Sequence, residues 1–353
     1  MATVRAAIIG TGKPRKTEGS TGFGIAYRHA EGYQACDDCE IVAVADIKRD
    51  NAEVFAEKYP GVAIYEDYKE MIAKEKPDIV SVCLWIDLHR PVVLDVIEAG
   101  VKTIHCEKPM ASRYGEARQM VEAADKAGVQ LTFNHQRRFG KPFQEARRIA
   151  QSGEIGDLVR LEGSCGNLFD WGTHWFDMMF FFNNETPVEW VIGQIDSRTE
   201  NSIFGTRMED QGVSQFKYKN DVYGLLATGP SAPFVGAKLR LVGSKGLVEL
   251  QPDNPPKRVI RVWKPGAAGW EFPEGEGGLH GDDAFNGAMI DVVAAMREGR
   301  RSLLDCHYAL QATEMIFATY ESSRRRARVD LPLDIDDSPF LSMLEEGVIG
   351  PKA

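Results

Sequence analysis

The chain has 353 residues, of which 43% are hydrophobic and 27% charged, and its formal net charge is −10. This size and composition fit a globular protein of one large or two ordinary domains, without a disordered signature. The negative charge argues against nucleic acid as the main partner, no apolar run is long enough to span a membrane, and six scattered cysteines suit a reducing compartment. We therefore expect a cytoplasmic protein that binds neither nucleic acid nor membrane.

Strand and helix patterns alternate over the first third of the chain. A continuous apolar run, typical of a parallel strand buried on both faces, occurs at 4–10, and further strand patterns occur at 40–46, 78–85, 101–109 and 129–134. Helical patterns with short connections lie between them. The alternation predicts a doubly wound parallel sheet, a dinucleotide-binding Rossmann domain of α/β class over residues 1–134.

The rhythm changes after about residue 135. Helical patterns are predicted at 141–152, 171–182, 284–298 and 307–325. Between the second and third of these, extended segments with a period of two follow one another. They predict an α+β domain over 135–353 with a large, mostly antiparallel, open-faced sheet. Because a broad apolar sheet face is rarely left in water, we expect this domain to form a homodimer or homotetramer.

A glycine turn follows the first predicted strand. Gly10, Thr11 and Gly12 stand where a dinucleotide fingerprint begins. Asp46 ends the second strand, where a carboxylate either hydrogen-bonds the adenosine ribose or is an ordinary strand-end residue. Its charge favours NAD over NADP, whose 2′-phosphate it would repel, but the neighbouring Lys48 and Arg49 leave NADP open.

The segment Cys106-Glu107-Lys108-Pro109 lies at the carboxyl end of another predicted parallel strand. Ligands of open α/β sheets bind at these ends. A lysine beside a nicotinamide could stabilise a developing alkoxide and hydrogen-bond the substrate hydroxyl, whereas a surface lysine would do neither. Lys108 is therefore a candidate for both catalysis and substrate binding.

The segment 169–177, FDWGTHWFD, places Asp170, His174 and Asp177 on one face of a predicted helix. His174 could act as a general base that Asp170 orients, or it could be a buried structural histidine. Asp170 and His174 could also ligate a metal, but the sequence offers no third ligand nearby. We read the Cys36–Cys39 pair as a surface loop and predict no metal site.

These features, in this order, resemble the glucose–fructose oxidoreductase / inositol dehydrogenase (Gfo/Idh/MocA) family. The resemblance extends from residue 4 to about residue 334 and is most specific in the EKP and D-x-G-x-H motifs. It implies binding of NAD or NADP and hydride transfer at one carbon of a sugar or cyclitol. It also implies that Lys108 is the catalytic lysine, His174 the proton-transferring residue and Asp170 its partner.

Further cofactor-binding residues follow from the resemblance. Glu107 and Pro109 belong to the same cofactor-side motif as Lys108, and His89 matches a histidine that the family often has after the fourth strand. The chain departs from the family pattern at Leu84 and Trp85, where the indole would pack against the cofactor or narrow the pocket.

Two residues are expected near the substrate. Arg138 lies in the segment that resembles the family's link between domains, from where it would reach the substrate. His280 precedes the last but one predicted helix and either enters the pocket or is a plain loop histidine.

The family's glycine motif is interrupted in this chain. Its second half resumes at Gly24 and Ile25, so residues 13–23 form an insertion. This insertion carries Lys13, Arg15 and Lys16. It either caps the cofactor cleft or is a surface excursion.

We predict an NAD(P)-dependent sugar or polyol dehydrogenase that transfers a hydride between nicotinamide C4 and a carbinol or carbonyl carbon. Two alternatives remain at this point. One is a glycosidase that retains NAD and acts by transient oxidation. The other is a non-catalytic sensor of dinucleotide and sugar, against which the set of Lys108, Asp170 and His174 speaks.

Overall fold

A computed structural model of the chain describes residues 2–20, 22–230, 232, 236–251, 259–273 and 281–351. The chain divides into two compact units. The first comprises Met1–Ala111, Glu116–Gln136 and Asp282–His307, and the second comprises Ser112–Gly115, Arg137–Gly281 and Tyr308–Ala353. Among the described residues, no helix has both the length and the apolar composition needed to cross a membrane.

The first unit is built on a six-stranded sheet in which every pairing is parallel. Its strands are β1 (Val4–Ile9), β2 (Cys39–Ala45), β3 (Ala63–Tyr65), β4 (Ile79–Val82), β5 (Thr103–Cys106) and β6 (Gln130–Phe133). The helices between them are α1 (Ile25–Gln34), α2 (Arg49–Lys58), α3 (Tyr68–Glu75), α4 (Ile86–Glu98) and α5 (Tyr114–Ala127). The order β3-β2-β1-β4-β5-β6 is that of a Rossmann fold, which confirms the predicted doubly wound sheet.

Burial explains why these strands read as continuous apolar runs. All residues of β4 and β5 are buried, as are five of the six residues of β1. Helices cover both faces of a parallel sheet, so both sets of alternating side chains are apolar. The strand order reverses between β1 and β4, and the carboxyl ends of these two strands border the crevice where such folds bind ligands.

The second unit begins with a 3₁₀ turn (Gln136–Phe139) and α6 (Lys141–Ser152), and a π-helical turn (Leu168–Gly172) leads into α7 (Thr173–Phe182). Its long strands are β7 (Leu158–Cys165), β8 (Val188–Asp196), β11 (Gln211–Tyr218), β12 (Tyr223–Thr228), β13 (Leu239–Gly243), β14 (Leu247–Leu250) and β15 (Ile260–Trp263). A small hairpin is formed by β9 (Ser202–Ile203) and β10 (Thr206–Arg207).

The remaining elements are α8 (Asp282–Glu298), α9 (Cys306–Arg325), β16 (Val329–Asp330) and α10 (Pro339–Glu345). The second sheet runs β15-β14-β13-β7-β12-β11-β8-β16 and is antiparallel except between β7 and β12. The predicted mostly antiparallel sheet is therefore confirmed. All ten residues of α7 are buried, which accounts for its mostly apolar composition, with Thr173, His174 and Asp177 as its polar residues.

Helix α8 packs on the first unit, although it follows the second sheet in the chain. It lies against α1 so closely that a Cβ atom at Gly32 would be 2.4 Å from Cγ of Met289. The absence of a side chain at Gly32 permits this approach. The sequence predicted a single domain boundary at 134/135, which placed α8 in the second domain. The contacts of α8 place it in the first compact unit.

Candidate active site

The glycine turn begins directly where β1 ends. Gly10 has a φ of +83°, and its backbone N–H donates to the carbonyl of Ala45 on the neighbouring strand. A Cβ atom at Gly10 would lie 2.5 Å from Leu84 Cδ2 and 2.7 Å from the Cys83 carbonyl oxygen. Only glycine satisfies both constraints. By contrast, a Cβ at Gly12 would meet no atom within 4 Å, so this position leaves room for a close ligand.

Asp46 ties this turn to the end of β2. One carboxylate oxygen accepts hydrogen bonds from the Thr11 hydroxyl (3.1 Å) and the Gly12 N–H (2.9 Å). The other accepts from the Lys48 N–H (2.9 Å) and the Asn51 amide (3.2 Å). The predicted cofactor residues Gly12, Thr11 and Asp46 are thus brought together. Asn51 is an additional member that the sequence did not single out.

The insertion folds back on the start of α1. The Thr17 N–H donates to the Pro14 carbonyl, and the Ser20 N–H donates to the Thr17 carbonyl. A Cβ at Gly24 would lie 3.0 Å from the Arg15 nitrogen, so the insertion contacts this residue, whose φ is +62°. The Arg15 guanidinium stands 5.0 Å from the ring of Phe23, which is mostly exposed. Gly24 precedes α1, which begins at Ile25, so the helix start has the place predicted for it.

A buried polar network supports the segment that carries Lys108. His29 Nε2 lies 2.8 Å from Glu107 Oε1, and the Asn134 amide donates to the same oxygen at 2.6 Å. The other ring nitrogen of His29 lies 3.0 Å from the Ser81 hydroxyl. Although burial alone would raise the pKa of Glu107, His29, Lys108 and Asn134 outweigh it and lower that pKa. The carboxylate therefore stays ionised next to Lys108, which is half-buried and joined to Pro109 by a cis peptide.

His89 braces this edge of the sheet from α4. One ring nitrogen is 3.0 Å from the Pro109 carbonyl oxygen, and the other is 3.0 Å from that of Leu84. The ring is buried, which lowers the pKa of His89 against the effect of these hydrogen bonds. His89 thus holds two predicted cofactor residues in place. Trp85 stands at the start of α4 with half of its surface exposed.

The pair Asp170 and His174 occupies the junction of the π-helical turn and α7, where both side chains are buried. The Gly172 N–H donates to the Asn167 carbonyl at 2.9 Å, the i to i+5 bond of a π-turn. The Asn167 side chain accepts from the backbone N–H groups of Asp170 and Trp171. The sequence predicted a helix here but not the extra residue in its first turn.

Glu209 secures the same turn from the loop before β11. Its buried carboxylate accepts hydrogen bonds from the Leu168 N–H and the Tyr320 hydroxyl. Burial raises the pKa of Glu209 to about 7, with these hydrogen bonds acting in the opposite direction. Neither Glu209 nor Asn167 follows a motif, so nothing in the local sequence marked them as supports of the candidate catalytic pair.

Asp177 and Arg138 form an ion pair in the interior of the second unit. The Arg138 guanidinium donates twice to Asp177, with a closest distance of 2.6 Å, and binds Glu185 at 2.7 Å. Both partners of the first pair are only 1% exposed. Arg138 was expected to reach the substrate, but its charged group is enclosed by two carboxylates. We leave it out of the proposed site.

The neighbouring Arg137 lies against two tryptophan side chains that adjoin the candidate catalytic pair in the sequence. Its guanidinium lies 4.4 Å from the Trp175 ring and 5.3 Å from the Trp171 ring. Burial lowers the pKa of Arg137 to about 9. His280, the other expected substrate residue, lies outside the described residues.

A metal-type group does occur within the described ranges, at Asp305, Cys306 and His307 in the first unit. The two ring nitrogens of His307 already lie 2.7 Å from Asp305 and 3.1 Å from Asp125. Burial raises the pKa of the Cys306 thiol, which disfavours the thiolate form that binds metals.

The geometry of the first unit fits a dinucleotide. Gly10 makes the tight turn, Gly12 leaves open space beside it, and the start of α1 offers backbone N–H groups and a positive dipole. Asp46 follows the end of β2. The second unit supplies a buried histidine with a carboxylate in the preceding turn, a combination suited to proton transfer.

Comparison with known proteins agrees with this division. Residues 4–135 match the model of an oxidoreductase family's NAD-binding Rossmann fold, and residues 159–331 match that family's C-terminal alpha/beta domain. The first unit therefore carries an NAD-binding Rossmann domain, as predicted.

Two curated relatives are dehydrogenases. The chain is 34% identical to D-glucoside 3-dehydrogenase of Escherichia coli over 44% of this chain and 41% of that protein. It is 26% identical to myo-inositol 2-dehydrogenase of Thermotoga maritima over 69% of this chain and 74% of that protein. The first match thus spans less than half the length of its relative.

The fold also matches solved structures. One is an oxidoreductase from Agrobacterium radiobacter in complex with NAD+, L-tartaric acid and magnesium. The TM-score is 0.76 at 17% identity, with 93% of this chain and 98% of that chain covered. At this identity the likeness concerns the fold alone.

Proposed function

The chain belongs to the Gfo/Idh/MocA family of oxidoreductases, and from this premise we propose that it is an NAD-dependent dehydrogenase of a sugar, sugar derivative or cyclitol. The observation that carries the proposal is the combination of two local sites. Lys108 follows β5 at the ligand-binding edge of an NAD-binding domain. Asp170 and His174 are both buried in the second unit of the chain.

The proposed roles follow from the chemistry of each group. When bound, NAD supplies the acceptor of the hydride that the substrate carbon loses. His174 takes the proton of the substrate hydroxyl, and Asp170 orients the imidazole and stabilises its cationic form. Lys108 stabilises the substrate oxygen as negative charge develops on it. The reverse reaction uses the same groups in opposite protonation states.

Support for this assignment comes from how the groups are held. Glu107 is fixed by His29 and Asn134, so the backbone at Lys108 has a rigid neighbour. Asn167 fixes the turn that carries Asp170. Preorganised charge is worth more in catalysis than charge that must be reoriented during the reaction.

We also propose a preference for NAD over NADP. The Asp46 carboxylate is buried at the end of β2, where it would bind the ribose and repel a 2′-phosphate. Of the two cations that left NADP open in the sequence, Lys48 and Arg49, the second is engaged by Glu53 at 2.9 Å and Glu66 at 3.6 Å. Its charge is therefore compensated on the protein. The expected outcome is tighter binding of NADH than of NADPH, measured by nicotinamide fluorescence, with the difference reduced in Asp46→Ala.

The central experiment is a search for net formation of NADH with a panel of hexoses, glycosides and inositols. Lys108→Ala and His174→Asn are expected to lower kcat by about 10²–10⁴-fold, the usual contribution of one positioned group. Lys102→Ala, a surface lysine before the same strand, is the matched control and should keep full activity. Full turnover in both active-site variants would overturn the assigned roles.

The same panel separates the two alternatives. A glycosidase that retains NAD would cleave glycosides with no net change in the cofactor, which chromatography of the sugars would detect. A sensor would bind NADH and sugar without any turnover. Either result would replace the dehydrogenase proposal.

We further propose that the open face of the second sheet pairs with a second copy of the chain. Large apolar side chains are exposed on three neighbouring strands, at Ile192, Val213 and Tyr223, and the strand register places all three on one face of the sheet. Because an apolar sheet face is rarely left in water, we expect light scattering to show a homodimer or homotetramer. The double variant Ile192→Lys, Val213→Lys should dissociate it, and a monomeric wild-type protein would contradict the proposal.

A further inference from the structure

The second unit contains a cavity of about 1100 Å³ at one end of its sheet, which we name the strand-end cavity. Its walls include the last residues of β7 and β8 and the first residue of β11. The register places them side by side, because Thr228 at the end of β12 is paired with Cys165 and Asp196 is paired with Gln211. The cavity is therefore a feature of the sheet itself.

An indole forms part of the wall. Trp171 is 38% exposed, and its ring meets that of Trp175 edge-on, with 6.2 Å between centroids. Trp175 is itself fixed, because its Nε1 donates to the Lys238 carbonyl at 2.6 Å. Arg137 lies near both rings. The exposed indole is thus held rigidly from behind and offers a flat apolar surface of fixed orientation.

Polar groups line the remaining wall. Asp210 accepts hydrogen bonds from the Arg198 and Thr199 N–H groups and from the Thr199 hydroxyl. Partial burial would raise the pKa of Asp210, but these bonds lower it, so the carboxylate stays an acceptor. Asp196, Gln211 and Asn201 add further acceptors and donors. An aromatic platform surrounded by carboxylates and amides matches a sugar ring, which has apolar C–H faces and hydroxyl edges.

The strand-end cavity is distinct from the acid–base pair but adjoins it. Trp171 directly follows Asp170 on the π-helical turn, yet neither Asp170 nor His174 is among the described residues that line the cavity. The volume of about 1100 Å³ leaves room for a sugar ring, since pockets of about 300–1,000 Å³ hold drug-sized ligands. A ring bound here would be a part of the substrate that does not react.

We propose that the strand-end cavity binds a non-reacting sugar ring and that the substrate is a glycoside of at least two rings. This inference rests on the proposed function as a sugar dehydrogenase. Binding of a remote ring could raise kcat/KM, because the energy gained there helps to position the reacting ring.

The test compares substrates that share the reacting ring and differ in the remote one. Glucose, methyl glucoside, maltose and cellobiose are assayed with NAD-loaded protein for NADH formation. For at least one disaccharide, kcat/KM is expected to exceed the methyl glucoside value by about tenfold or more. Trp171→Ala should remove this advantage and leave the methyl glucoside value within about twofold.

Three further variants serve as controls for the effect of Trp171→Ala. Trp263→Ala removes another exposed indole of the same unit, on β15 and outside the cavity wall, and should change neither value. Trp171→Phe should restore most of the disaccharide preference. If Trp171→Ala does not fold, Gln211→Leu removes a polar group of the cavity without touching the π-helical turn and should lower the disaccharide value alone.

Equal kcat/KM values for all four sugars, or an equal loss for mono- and disaccharides in Trp171→Ala, would overturn the inference and leave the proposed function standing. Absence of NADH formation with every sugar in the wider panel would overturn the proposed function instead. In that case, calorimetry with a disaccharide tests whether the strand-end cavity binds sugar. Disaccharide binding that is lost in Trp171→Ala supports a glycoside site, and no disaccharide binding overturns it.

Discussion

The two candidate sites, one in each compact unit, are built in different ways. In the first unit, the glycine turn, Asp46 and Lys108 all lie within three residues of the end of a parallel strand. In the second unit, the turn that carries Asp170 is held by Asn167 and by Glu209, which lies about forty residues later in the chain. The candidate residues of the strand-end site are thus marked by the local sequence, although His29 and Asn134 support them from a distance. The supports Asn167 and Glu209 in the second unit follow no motif.

The largest expected effect tests which carboxylate of the D-x-G-x-H-x-x-D segment is structural. Asp177→Asn weakens a fully buried ion pair and should lower the free energy of unfolding by about 3–5 kcal/mol. Asp170→Asn should lower kcat but change stability by less than about 1 kcal/mol. Urea denaturation and steady-state kinetics measure the two quantities. Similar stability losses in both variants would contradict this separation.

The next effect tests the local character of the first site. In Gly10→Ala the new methyl group meets Leu84 and Cys83 at a positive φ, so the turn must move. We expect the affinity for NADH to fall about 100-fold, measured by fluorescence titration. Gly12 also has a positive φ, but a Cβ atom at this position would have open space around it. The Gly12→Ala variant without NADH should therefore lose only about 1 kcal/mol of unfolding free energy. Unchanged NADH affinity in Gly10→Ala would argue against a cofactor role for the turn.

A third prediction concerns the distant support Glu209. Because its pKa in the folded protein is about 7 and its ordinary value is 4.5, the stability that its protonated form contributes is present below pH 4.5 and lost as the pH rises through 7. Glu209→Gln removes this titration. The free energy of unfolding of the variant should therefore rise relative to that of the wild type between about pH 4.5 and pH 7, by at most about 1.4 kcal/mol per pH unit. A difference in unfolding free energy between the wild type and Glu209→Gln that does not change with pH would refute this assignment.

The smallest expected effect concerns the insertion, for which we propose a role in capping the cofactor. Arg15→Ala combined with Lys16→Ala removes two exposed cations near the glycine turn. We expect the Kd for NADH to rise about threefold at low salt and less at high salt, since exposed charges are screened. Lys69→Ala, a distant surface lysine, is the control. Deletion of residues 14–22 with no change in Kd or turnover would identify the insertion as a surface excursion.

The sequence by itself determined the class of both domains. Parallel strands buried on both faces leave uninterrupted apolar runs, and half-covered antiparallel strands leave alternation, so both sheets were predictable. The glycine turn, Asp46 and Lys108 were predictable for a related reason. Their places follow from where a strand stops, which the local pattern records.

Only the tertiary structure decided how individual side chains are used. Arg137 and Arg138 are neighbours in sequence, yet one stacks on two indoles beside Asp170 and the other is enclosed by Asp177 and Glu185. The attachment of α8 to the first unit and the extra residue in the π-helical turn were likewise invisible in the pattern. These outcomes depend on contacts between residues far apart in the chain, and periodicity carries no information about such contacts.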